Sequence, residues 1–145
     1  MKDVTYSITA EAMAGTRLDV SVGDFSLIID EPEKLGGTNA GPNPLEYELA
    51  ALAGCLNVTG RVVARELEMQ IDRLTMSLSG SLNPARFMGR EGSDRAGFKE
   101  ITASLQVDSP ADAATLETWR AAVEERCPVS DNLANGTVLR VAIGQ

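Results

Sequence analysis

Histidine is absent from this chain of 145 residues. That absence removes Ser-His-Asp and Cys-His nucleophile pairs, His-ligated zinc and haem, and imidazole acid–base chemistry. Cysteine is scarce: Cys55 and Cys127 alone cannot assemble a four-cysteine zinc or iron–sulfur site within one chain, so neither a bound metal nor a bound cofactor is expected. Aromatic residues make up 4%, too few for an aromatic cage or a base-stacking surface. Positive charge is in deficit, with 13 basic against 21 acidic residues and a net charge of −8. Such a balance repels phosphate backbones and anionic lipid, so no nucleic-acid or membrane partner is expected. No stretch reaches about 18 consecutive apolar residues, and the opening Met-Lys-Asp-Val-Thr-Tyr lacks the apolar run of a signal peptide. A cytoplasmic location is therefore expected, where two thiols rest reduced and a disulfide is transient chemistry. The glycines at Gly36, Gly37 and Gly41 are not followed by Lys-Ser/Thr, which excludes a phosphate cradle.

What is present suffices for one ordinary domain: hydrophobic residues make up 43% and charged residues 23%. Residues 4–11 (VTYSITAE), 17–22 (RLDVSV) and 25–30 (FSLIID) alternate around Ala14-Gly15 and Gly23-Asp24, which predicts a three-stranded antiparallel meander. A polar, glycine-rich connection from Glu31 to Pro44 ends it. From Leu45 to about Met69 alanine, leucine and glutamate dominate without proline, which predicts a long helix with Asn43 as N-cap and Pro44 in its first turn. Its first half, with Leu45, Leu49, Leu52 and Leu56, is apolar almost all round, so it should be covered by protein on most sides. Gly54 is placed to let another helix approach. Residues 71–82 and 98–107 read as strands flanking a charged loop. Ser109-Pro110 opens a second, N-capped helix with Leu116, Trp119 and Val123 on one face. CPVSDNLANG reads as a turn region and TVLRVAI as a last strand. Trp119, Phe25 and Phe98 are expected in the core. The order is that of an α+β domain with an antiparallel sheet on its helices.

Only the two cysteines invite a chemical reading. Each has an ordinary alternative: Cys55 as a small buried hydrophobe inside a helix, Cys127 as a helix-terminal residue before Pro128. Their 72-residue separation does not say whether they meet.

The segment GPNPLEYELAALAGC (Gly41 to Cys55), followed at long range by CPVSDNLANG and preceded by EPEKLGG, resembles the OsmC/Ohr family of osmotically inducible protein C and organic hydroperoxide resistance proteins. The paired signal is specific: Asn-Pro opens an Ala/Leu helix with cysteine twelve residues after the Asn, and a distant Cys-Pro completes it. The resemblance covers nearly the whole chain. It implies an α+β, OsmC-like fold over residues 1–145 as a single domain, with antiparallel sheets packed around a long central helix in an intertwined homodimer.

The resemblance further implies a thiol peroxidase. Cys55 would be the peroxidatic thiolate that attacks the O–O bond of an organic hydroperoxide. Cys127 would resolve its sulfenic acid as a disulfide, and an external dithiol carried by a reductant protein, in the family a lipoyl group, would restore the pair. A buried thiol needs a cation, and Arg17, eighteen residues before Leu35, stands where the family places its active-site arginine. The hydroperoxide reductases orient that arginine with a glutamate directly after the Asn-Pro, where this chain has Leu45. Glu46 is the candidate replacement, with Glu48 as the alternative. At about 100° per residue Glu46 lies opposite Cys55, while Glu48 shares its face about 10 Å along the axis, so neither reaches the sulfur from within its own helix. Both also suit a first helical turn as ordinary acids. An apolar cysteine neighbourhood favours alkyl over hydrogen peroxide, by about 0.8 kcal/mol per methylene. Phe87 and Met88 are candidates for the substrate entrance. Two other readings remain: a non-catalytic or weakly active OsmC-like stress or binding protein, motivated by Leu45, and a non-peroxidatic thiol hydrolase or transferase.

Overall fold

A computed structural model describes residues 2–144 of the chain, which form two compact units dividing between Ala50 and Ala51. The structure is mixed α+β, with antiparallel sheets and helices.

In the N-terminal unit β1 (Thr9–Glu11), β2 (Leu18–Val22) and β3 (Phe25–Ile29) form the expected meander, in the order β1-β2-β3. Gly23, at φ 57, makes the two-residue turn that brings Val22 opposite Phe25. The first strand is shorter than the alternation over residues 4–11 predicts; Val4 and Tyr6 lie exposed outside it. Phe25 is exposed too, so it is not a core residue; Val20 is the buried side chain of this sheet.

The connection after β3 is organised around Asp30, which is 1% exposed. Its carboxylate accepts from the Thr16 hydroxyl (2.7 Å), the Thr38 hydroxyl (2.6 Å) and amide (2.9 Å), and the amides of Glu31 and Ala40. These bonds fold the Glu31–Gly37 segment, which includes a short 3-10 helix at Glu33–Leu35. Gly37 is obligatory there: a Cβ would fall 1.8 Å from the Glu31 carbonyl oxygen. The donors hold the Asp30 carboxyl well below the usual carboxylate range, the Thr38 and Thr16 hydroxyls foremost.

Helix α1 (Pro44–Glu66) runs across the division between the units. It starts with a reciprocal capping box: the Asn43 side chain accepts from the Glu46 amide (2.9 Å), and the Glu46 carboxylate accepts from the Asn43 amide (2.8 Å). It stops three residues before the expected Met69 because Glu68 turns left-handed at φ 51 and the Met69 amide donates back to the Ala64 carbonyl.

In the C-terminal unit β4 (Arg73–Ser81) and β5 (Glu100–Asp108) pair in register from Arg73↔Asp108 to Ser81↔Glu100. Leu74, Met76 and Leu78 point one way, as the alternation requires, and pack with Ile101, Leu105 and Val107 on the core. Helix α2 (Ala113–Arg126) is capped by Asp112, whose carboxylate accepts from the Thr115 amide at 2.8 Å. Ser109, the expected cap, instead bonds the Gln70 carbonyl and the Ala111 amide in the approach. Trp119 and Val123 are buried as expected, with Leu116 packed beside them, and Phe98 is half-buried over Gly80.

The closest helix contact is at Gly60, not Gly54. The Trp119 Nε1 donates to the Gly60 carbonyl at 2.8 Å, and a Cβ on Gly60 would sit 2.8 Å from the indole. Nothing stands within 4 Å of a Cβ at Gly54.

Two sequence expectations fail near the end of the chain. Residues 128–135, expected as turn, form helix α3 (Pro128–Asn135), because Pro128 pre-sets the first helical φ and Gly136 ends the run. The TVLRVAI segment is not a strand; Val138, Leu139, Val141 and Ile143 are exposed, and among the described residues no strand pairs with them.

Candidate active site

The two cysteines, 72 residues apart in sequence, meet in the core of the C-terminal unit. Cys127 is fully buried among Leu52, Leu56, Val63, Trp119 and Val123, and the half-buried Cys55 packs against that cluster. Three helices bring them together. Cys55 shares the inner face of α1 with Leu52, Leu56 and Thr59, spaced three and four residues apart. Trp119, locked onto Gly60, pins α2 to α1. Cys127 follows immediately, as the residue that ends α2 and begins α3. Neither cysteine is in a disulfide in this structure.

The sulfurs perturb each other and are perturbed unequally. Burial pushes the Cys55 thiol up, with the Cys127 sulfur adding to the rise, while the Val129 amide and the Thr59 hydroxyl oppose it; the net direction is up. Burial also pushes Cys127 up, but the Ser130 hydroxyl and amide, the Cys55 thiol and the Val129 amide outweigh it; the net direction is down. A cysteine at a helix N-terminus is where a thiolate is best stabilised. Charged neighbours are otherwise engaged: Arg126 pairs with Glu66 through both terminal guanidinium nitrogens, and Asp131 accepts from Asn135 at 2.7 Å.

Arg17 and Glu46 belong to the N-terminal unit. Arg17, just ahead of β2, stands beside Thr16, whose hydroxyl is fixed by Asp30, and makes a two-pronged contact with Asp19 (3.1 and 2.8 Å) on β2. That bond raises the Arg17 pKa, so the guanidinium is a permanent cation. The Glu46 carboxylate is taken by the capping box. Phe87 and Met88 are exposed on the loop between β4 and β5, which is held by Asn83 and Lys99 on Asp94 (both 2.8 Å).

Sequence reasoning missed four residues. Thr59 carried a signal, standing one turn after Cys55 on the same face. Ser130 and the Val129 amide had none, because their role depends on a helix at 128–135 that was read as a turn. Asp19 was visible only as a strand residue. Among the described residues no group of three or more Cys, Asp and Glu is arranged to hold a metal ion, and no helix is long and apolar enough to cross a membrane.

The family model described as OsmC-like protein matches residues 37–142. A protein of Mycoplasma pneumoniae named hydroperoxide reductase is 25% identical over 141 residues, which is 97% of this chain and 95% of that protein. The crystal structure of an OsmC-like protein from Mycoplasma pneumoniae superposes with a TM-score of 0.80 at 25% identity, covering 92% of this chain and 89% of that one. An organic hydroperoxide resistance protein from Legionella pneumophila shares the fold with a TM-score of 0.65 at 23% identity, over 92% of this chain and 93% of its own.

Proposed function

Because the chain belongs to the OsmC-like protein family, we propose that it is a thiol-dependent peroxidase that reduces organic hydroperoxides with Cys55 and Cys127. The observation that carries the reading is the meeting of the chain's two cysteines, one half-buried and one fully buried, in a single core. The relative named hydroperoxide reductase supports it at the level of the family. The Cys55 sulfur attacks the outer oxygen of ROOH. The O–O bond breaks, and the sulfur becomes a sulfenic acid while RO⁻ takes a proton and leaves as the alcohol. The Cys127 sulfur then attacks the Cys55 sulfenic sulfur, an S–S bond forms and hydroxide departs as water. An external dithiol, a lipoyl group on a reductant protein, exchanges with the disulfide and restores both thiols. The family resemblance is what offers Arg17, a cation at any working pH, to the developing anion.

The active form in this proposal is a homodimer. The termini display apolar side chains with no cover (Tyr6 91% and Ile143 96% exposed), and Val58 stands out from the small residues Ala50, Ala51 and Gly54 on α1. A second copy is the natural cover for such surfaces. Sedimentation equilibrium checks this; a monomer at micromolar concentration sinks the dimer.

A second reading is favoured by Leu45 in the glutamate position and by a Glu46 already engaged in its capping box: an OsmC-like stress or binding protein whose cysteines do not turn over peroxide. One equivalent of tert-butyl hydroperoxide on reduced protein decides. Intact mass showing loss of two hydrogens, with a Cys55–Cys127 peptide after digestion, supports the peroxidase. Unreacted thiols support the binding protein.

A further inference from the structure

Cys127 is the joint between two helices: it ends α2 and begins α3, and its own backbone is extended at φ −78 and ψ 111. Where its sulfur stands against Cys55 therefore depends on how α2 is fixed to α1. One attachment is the Trp119 Nε1 bond to the Gly60 carbonyl, at 2.8 Å. A helix held at a single point still turns and tilts about it, and the joint lies about two turns beyond Trp119. The residue immediately before Cys127 supplies a second attachment at that end. Both terminal guanidinium nitrogens of Arg126 donate to the two carboxylate oxygens of Glu66, the Nη2 bond measuring 2.9 Å. A paired fork of this kind fixes direction as well as distance.

Glu66 is the last residue of α1, eleven positions after Cys55. At about 100° per residue that spacing returns it to within about 20° of the Cys55 face, about three turns along. The macrodipole disfavours a carboxylate at a helix C-terminus, so α1 by itself gives no reason for an acid there. The reason is its partner, 60 positions away in sequence and next to the other cysteine.

We propose that Glu66 and Arg126 form a latch that positions Cys127 for attack on Cys55, and so sets how fast the Cys55–Cys127 disulfide closes. Both are positioning residues, acting through the joint and not on the sulfurs. The latch rests on the peroxidase reading for its oxidant and adds to the second step of that reading. In that step Cys127–SH and Cys55–SOH give the disulfide and water, the S–O bond breaking as the S–S bond forms. The competing reaction is with a second hydroperoxide: Cys55–SO⁻ and ROOH give Cys55–SO₂⁻ and ROH, the sulfur oxidised further and the peroxide reduced. Holding Cys127 in place favours closure over that loss. The Arg126 and Glu66 side chains are 42% and 53% exposed, so salt screens the pair and its effect on rate is a modest factor.

The test compares the reduced full chain as wild type, Glu66→Ala, Arg126→Ala and the charge-swapped Glu66→Arg/Arg126→Glu in single turnover with tert-butyl hydroperoxide. Dimedone trapping reads formation of the sulfenic acid, and intact mass after an acid quench reads closure to the disulfide. Each single variant should form sulfenic acid at the wild-type rate and close about two- to fivefold more slowly. In excess hydroperoxide a larger share of it should reach the sulfinic acid. The swap should restore closure, a rescue that a purely structural loss would not allow. Salt at about 1 M, where screening acts within about 3 Å, should slow closure in wild type and leave Glu66→Ala unchanged. Oxidised glutathione reads the same closure without peroxide, as the lifetime of the Cys55–glutathione mixed disulfide. Single variants that close as fast as wild type, or that slow sulfenic acid formation by the same factor as closure, overturn the latch, as does a swap that stays slow. A wild type that ignores the hydroperoxide, yet closes its glutathione mixed disulfide with the expected dependence on Glu66, overturns the peroxidase reading and supports the latch.

Discussion

Gly60→Ala should destabilise the C-terminal unit even though alanine is the better helix former. Relative to glycine in a helix interior, alanine gains about 1 kcal/mol. Against that, the new Cβ would lie 2.8 Å from Cζ2 of Trp119, a ring 1% exposed and held by its own Nε1 bond to the Gly60 carbonyl. The indole cannot swing away without giving up that bond, and overpacking of this kind costs about 1–3 kcal/mol, with about 1 kcal/mol more for the lost hydrogen bond. The net expectation is a loss of about 1–3 kcal/mol. Urea unfolding reads it directly, because Trp119 is the only tryptophan in the chain and reports its own environment by fluorescence. Trp119→Phe should relieve the clash, so the double variant, followed by circular dichroism, should be less destabilised than the sum of the two single changes. The same contact pins α2, and hence Cys127, against α1, so Gly60→Ala should also slow disulfide formation after peroxide. A variant as stable as wild type, or more stable by the full propensity gain, would refute the close packing on which the meeting of the thiols depends.

Glu68→Gly should stabilise by about 0.5–1 kcal/mol, since residue 68 sits at φ 51 beyond the helix end, where only glycine is unstrained; an unchanged urea midpoint would argue against it. Asn43→Ala should cost about 1 kcal/mol by removing the capping box, measured as a fall in thermal midpoint. Asp30 is ionised far below an unfolded aspartate, so the stability it contributes is complete above about pH 4 and is lost as pH falls from there toward its folded value. Hydrogen exchange at the Thr38 and Ala40 amides should therefore differ between wild type and Asp30→Asn at neutral pH and converge under acid; a gap that persists in acid counts against the clasp.

The family signature and the strand–helix order were legible because each rests on short-range rules. Alternation gave β2, β3, β4 and β5, and an Asn-Pro start with a proline-free Ala/Leu run gave α1. On the same rule residues 4–11 were read as a strand, of which only Thr9–Glu11 pairs, and the C-terminal TVLRVAI was read as a strand and is not one among the described residues. A β pattern states which face wants burial but does not supply the partner edge. Helix α3 was misread because Pro, Asn and Gly mark turns and helix boundaries alike, and eight residues are too few for periodicity to arbitrate.

Sequence by itself narrowed the chemistry: with no histidine, the two cysteines were the residues that invited a chemical reading, and the helix carrying Cys55 was already apparent. Only the tertiary structure decided that the two thiols meet and that they are unlike. The first depends on Gly60 admitting Trp119 so that α2 delivers Cys127 to α1, a contact between residues 59 positions apart. The second depends on which sulfur a helix begins beneath. Ionisation follows the surroundings of an atom, and for a buried thiol those surroundings are assembled from segments that local sequence does not place.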